Sequence, residues 1–136
     1  MGKLSDIMAR AWQVTETQDW AGLEALFTPN TEFRMPGATM RGPAEFRALC
    51  EGWWSAFPDL KHQIVSEVEH GDVYCCELVM NGTHTGTMRT PKGDIPATGK
   101  RVQMQSCDYV VIKEGRIVSW HAYADMMGLL GQLGVG

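Results

Sequence analysis

Residues 101–125 read RVQMQSCDYVVIKEGRIVSWHAYAD. Arg101 to Lys113 is a long run rich in β-branched and aromatic residues. Glu114-Gly115 forms a tight turn, and Arg116 to Asp125 supplies an antiparallel return strand. Ahead of this hairpin, Val73 to His84 is another long strand, with Tyr74, Cys76, Leu78 and Met80 on one face. His70-Gly71-Asp72 is the turn before it. Ile64 and Val68, alternating with polar neighbours, predict a further strand after Asp59. Thr90 to Asp94 and Ala97 to Lys100 read as loop and turn.

The N-terminal half has a different period. Leu4, Ile7, Met8, Ala11, Trp12 and Val14 fall near one helical stripe ending at about Thr17. Asp19 is placed to cap a short second helix carrying Leu23, Leu26 and Phe27, which Thr28-Pro29-Asn30 stops. A strand from Thr31 to Met35 ends at Pro36-Gly37. From Pro43, suited to a first helical position, Phe46, Leu49, Cys50, Trp53, Trp54 and Phe57 make a wide apolar face that Pro58-Asp59 terminates. Asp125 would cap a last helix holding Met126, Leu129, Leu130 and Leu133. Helices followed by hairpin-linked strands predict an α+β domain, its helices on one side of an antiparallel sheet. A strongly twisted sheet curling over the long helix would leave a blind apolar pocket.

The 136 residues are 44% hydrophobic, enough for one domain with a core and too few for two, so residues 1–136 are expected to form a single unit. Sixteen acidic residues against 12 basic ones argue against nucleic acid as a partner. No apolar run approaches the roughly 20 residues that span a bilayer. MGKLSDIMAR lacks the apolar core of a signal peptide, and Asp6 stands where a myristoylation motif requires Ser or Thr. A cytoplasmic chain with no membrane partner is expected. Cys50, Cys75, Cys76 and Cys107 show no C-x-x-C spacing, so reduced, buried thiols are expected rather than a metal site.

Phe57-Pro58-Asp59-Leu60, Gly82-Thr83-His84-Thr85-Gly86, Thr98-Gly99-Lys100 and Glu114-Gly115-Arg116-Ile117, in that order, resemble the SnoaL-like polyketide cyclase family. Trp120 to Asp125, Gly128-Leu129-Leu130 and Gln132-Leu133-Gly134 extend the resemblance to the C-terminus. It implies the cone-shaped roll of the nuclear transport factor 2-like superfamily: a strongly curved mixed or antiparallel sheet wrapped around a long helix. It also implies pairing into a homodimer through the outer sheet face. The best-known members are cyclases that use no cofactor and close a ring by intramolecular aldol condensation, with an aspartate as acid and base.

Asp125 is the first catalytic candidate, since a carboxyl in an apolar pocket can hold and release a proton near neutrality. The same residue is a natural helix cap. Alternation would set His121 and Tyr123 beside Asp125, His121 orienting the carboxyl or replacing it as base. The opposite parity would instead bring Trp120, Ala122 and Ala124 inside. His84, between Thr83 and Thr85, is a candidate donor to a carbonyl oxygen. Gln103 and Gln105 could grip a substrate oxygen, Trp53 suits a planar hydrophobic ligand, and Asp59 is a turn residue or a partner for His84. The expected function is ring closure or a related isomerase or lyase reaction on a hydrophobic, polyketide-like carbonyl compound. A non-catalytic ligand-binding or protein-interaction module of the same fold is the alternative. A steroid-type isomerase would need a second acid. An epoxide hydrolase is disfavoured by Gln103-Met104-Gln105 and by Ala122, where acids would be required.

Overall fold

Strand β7 (Arg101–Lys113) buries every even-numbered residue from Val102 to Ile112, including Ser106 and Asp108, and turns its odd-numbered residues away. It is the spine of the computed structural model, which describes residues 2–135. Strand β8 (Arg116–Ala124) pairs with it antiparallel through a turn in which Glu114 and Gly115 have φ of 52° and 77°. Two positive φ values match the right-handed twist of the flanking strands. β4 (Val73–Thr83) lies along the other edge of β7, and β3 (Lys61–His70) beyond it. β1 (Phe27–Met35) runs parallel to β8, with β2 (Ala38–Arg41) outside it. The order β2-β1-β8-β7-β4-β3 is therefore mixed, with one parallel pairing.

Four helices accompany the sheet: α1 (Lys3–Glu16), α2 (Trp20–Leu26), α3 (Gly42–Ala56) and α4 (Met126–Gln132). α1 buries Leu4, Met8, Ala11, Val14 and Thr15 along one stripe. Glu69 of β3 caps its first turn, accepting from the Ser5 amide at 2.9 Å and the Ser5 hydroxyl at 2.6 Å. α3 lays Phe46 among Phe27, Phe33 and Trp120, with ring centroids 4.7–5.6 Å apart. Such tilted aromatic contacts add to simple area burial. Asp19 and Asp125 cap α2 and α4, accepting from the amides of Gly22 and Gly128.

The expected α+β roll is the observed one, with local departures. β1 begins at Phe27, running through Thr28-Pro29-Asn30 rather than stopping there, because the Thr31 hydroxyl ties the strand to the Ile117 carbonyl at 2.6 Å. Pro36-Gly37 is a hairpin turn leading into β2, not an end. The expected loop over residues 90–94 belongs to a small hairpin, β5 (Met88–Thr90) and β6 (Gly93–Ile95). In β3 the register shifts between Ile64 and Ser66, so Val68 lies on the outer face, 69% exposed, instead of sharing Ile64's side. Cys50 and Cys76 are buried as expected. Cys75 and Cys107 are not: they lie on the outer face of β4 and β7, their sulfurs 3.9 Å apart.

Candidate active site

The concave face of the sheet, α1 and α3 line a chamber of about 70 Å³. Phe33, Met35, Phe46, Leu49, Trp53, Trp54, Leu78, Met80 and Met104 give most of its wall. Met35, Leu49 and Trp53 also line an outer groove bounded by the β5–β6 hairpin and Met126. Trp53, expected against a planar ligand, thus lies between the chamber and this groove.

The strand parity in β8 is the reverse of the one that favoured His121, Tyr123 and Asp125. Trp120, Ala122 and Ala124 line the chamber, and Trp120 is only 2% exposed. The bulky indole is the residue the core takes, and alternation then turns its neighbours outward. His121 bonds Glu32 through Nε2 at 2.8 Å on the outer face. Tyr123 is exposed, and Asp125 accepts from the Gly128 amide at 2.8 Å as a helix cap. Gln103 and Gln105 are exposed as well, the Gln103 backbone being bridged by the Gln132 side chain.

His84 and Asp59 belong to a structural knot at the end of α3. The Thr85 and Gly86 amides donate to the Ala56 carbonyl, and a Cβ on Gly86 would collide with the Ser55 carbonyl oxygen. Asp59 accepts from the Thr83 amide and hydroxyl, both at 2.7 Å, and the Thr83 hydroxyl bond leads in holding its carboxyl below the usual range. His84 Nδ1 accepts from the Thr98 amide at 3.2 Å, while the His84 backbone pairs with Gly99 and Lys100. Its Nε2 is sealed without a partner among the described residues, its ring packs on Phe57, and burial lowers its pKa. Three of the recognisable sequence motifs thus meet here, and of their residues Leu60 reaches the chamber wall.

The polar groups that do enter the chamber are Thr15, His62, Ser106 and Asp108. Asp108 is 3% exposed. Its Oδ1 accepts from the Ser106 hydroxyl at 2.6 Å and its Oδ2 from Trp120 Nε1 at 2.8 Å. Burial pushes its pKa up, against the opposing pull of those two bonds. Ala122 is its cross-strand partner and leaves room beside the carboxyl. His62 is fixed by Glu16 at the end of α1: one carboxylate oxygen takes the His62 amide at 2.7 Å and Nδ1 at 3.0 Å. Trp12 packs tilted against His62 at 4.8 Å, and its indole N–H has no acceptor among the described residues.

Asp108 was legible in one signal that sequence reasoning passed over. Val102, Met104, Val110 and Ile112 share one parity of β7, and Asp108 shares it too. A carboxyl on the apolar side of a strand is either misplaced or functional.

The SnoaL-like polyketide cyclase family model matches residues 5–133. Aklanonic acid methyl ester cyclase DnrD of Streptomyces peucetius is 28% identical over 133 residues, spanning 93% of this chain and 86% of that protein. Among solved structures, IdmH from Streptomyces antibioticus superposes with a TM-score of 0.83 at 24% identity, over 98% of this chain and all of the other (100%). A SnoaL-like protein from Jannaschia sp. CCS1 gives 0.85 at 14% identity, over 97% and 92% of the two chains. Those two likenesses establish the cone-shaped roll.

Proposed function

Because this chain belongs to the SnoaL-like polyketide cyclase family, we propose that it closes a ring in a hydrophobic polyketide-like carbonyl compound, without a cofactor, using Asp108 as the acid and base. The observation that carries this reading is the Asp108 carboxyl, 3% exposed, in a chamber whose wall is mostly apolar, where burial pushes its pKa up. Aldol closure moves a proton off an activated carbon and delivers one to the carbonyl oxygen that becomes a hydroxyl. A carboxyl whose protonated form is favoured by burial can make that delivery. Trp120 can only donate, so it holds Oδ2 as an acceptor. The Ser106 hydroxyl can donate or accept, so it serves Oδ1 in either protonation state. The mostly apolar wall of the chamber disfavours water beside the carboxyl.

The test is turnover of aklanonic acid methyl ester, the compound in the relative's name, and of shorter aryl β-keto esters. Asp108→Asn should lose about 10²–10⁴-fold in rate, whereas His121→Gln and Asp125→Asn should keep most of it. Wild-type turnover in Asp108→Asn would end this assignment. The non-catalytic ligand module fits less well, since apolar binding needs no carboxyl buried at such cost. The outer sheet face carries Val65, Val68, Tyr109 and Tyr123, all exposed, and supports the homodimer reading.

A further inference from the structure

We propose that His62 is a second catalytic residue, taking the proton from the substrate carbon through Nε2, and that Glu16 is the positioning residue that aims it. This rests on the acid/base reading of the chamber and divides that work between two groups. The Glu16 carboxylate can only accept. Burial pushes its pKa up, but the bonds from the His62 ring and amide outweigh that and hold it lowered. Nδ1 of His62 must therefore carry the hydrogen, and the neutral ring keeps its lone pair on Nε2. Nε2 makes no hydrogen bond among the described residues, although His62 lines the chamber.

The surroundings of the ring favour that role. Glu16 faces it from α1, Asp108 from β7, and the indoles of Trp12 and Trp54 pack at 4.8 and 5.9 Å. The Glu16 carboxylate, the Asp108 carboxylate left once its proton is delivered, and two aromatic faces stabilise an imidazolium. In ring closure the carbon-bound proton passes to Nε2. The electron pair it leaves forms the new bond to the ketone carbon, and the ketone oxygen takes the Asp108 proton. Imidazolium and carboxylate remain within electrostatic reach, and return of the proton from Nε2 to Asp108 restores both. The product is an isomer of the substrate, and nothing else is consumed. The chamber thus selects compounds that present an acidic C–H and a ketone oxygen together.

Exchange of the α-protons of β-tetralone, a bicyclic aryl ketone, for deuterium reads the first step without any ring closure. Wild-type protein should catalyse this exchange, followed by proton NMR, and His62→Gln should lose about 10²–10⁴-fold. Glu16→Gln keeps both acceptor contacts and removes the charge. It should slow exchange about tenfold and move the rise of rate with pH to lower pH, as a less basic imidazole requires. A merely structural Glu16 would leave that profile in place. Absence of exchange by the wild type, or undiminished exchange by His62→Gln, overturns the proposal. Should His62→Gln fail to fold, the ring nitrogen shifts of the wild type decide: a hydrogen on Nδ1 supports it, and one on Nε2 refutes it. Loss of exchange in His62→Gln with unimpaired ring closure by Asp108→Asn would sink the Asp108 reading alone.

Discussion

Asp108 works against the fold that holds it. Its pKa is raised by burial, so the folded chain binds its proton more tightly than the unfolded chain does. An acid shifted in this direction costs nothing below its unfolded pKa of about 3.9 and destabilises increasingly as pH rises through the folded value. Asp108→Asn should therefore melt a few degrees above wild type at pH 8, and the gain should shrink as the pH approaches 4. The amide can still accept from Trp120 and donate to Ser106, so no new unpaired group offsets the gain. Thermal melts at the two pH values check this, and equal melting temperatures at pH 8 would contradict it. A variant that is more stable and inactive is the expected mark of a functional carboxyl in a core. Trp120→Phe should act in the opposite way on both counts. It removes the indole donor from Oδ2 and opens a gap in the aromatic cluster, which should lower the melting temperature and alter the pH–rate profile.

Most elements followed from periodicity, and the errors over which faces turn inward arise because strand faces depend on register, which the local pattern does not always fix. The hairpin of β7 and β8 was plain because two long alternating runs flank Glu114-Gly115. Which face of β8 turned inward was decided by Trp120 packing against Phe46 and Trp12, a tertiary fact. β3 failed differently. One extra residue at Val65 changes which positions share a face, so Ile64 points inward and Val68 outward. Of the motifs that revealed the family, those up to Lys100 mostly build the knot at the end of α3, while Trp120 to Asp125 supplies chamber wall but neither Asp108 nor His62. His62 and Glu16 are 46 residues apart, and no spacing rule joins them. β3 also anchors α1 through Glu69, whose carboxyl the Ser5 hydroxyl holds below the usual range. A depressed acid contributes stability above its unfolded pKa and loses it as pH falls through the folded one. Glu69→Gln should lower the melting temperature at pH 7, and the deficit should close on acidification to about pH 3. A deficit constant across that range would mean that the charge on Glu69 is irrelevant to the cap.

The curved sheet gives the molecule two unlike surfaces. Its concave side is occupied by α1, α3 and the chamber, while its convex side has no helix over it. On that outer face Val65 is 61%, Tyr123 60% and Tyr109 44% exposed, and Cys75 and Cys107 lie among them. Glu32, bonded to Arg34, Arg41 and His121, makes a charged margin along β1. An apolar middle with a polar border is the make-up of a protein–protein contact, and a second copy of this chain is the partner expected of the fold. A stable pair would have to bury roughly 800 Å² on each copy, which the width of four adjacent strands can supply. Tyr109→Glu with Tyr123→Glu would set charges opposite their own images across a two-fold axis. Sedimentation should show a dimer for the wild type at micromolar concentration and a monomer for the double variant. Because His62 and Asp108 lie on the concave side of the sheet, the monomer should retain the exchange activity of the dimer. A wild type that sediments as a monomer would refute the pairing, and a monomeric variant without exchange activity would show that the outer face shapes the chamber after all.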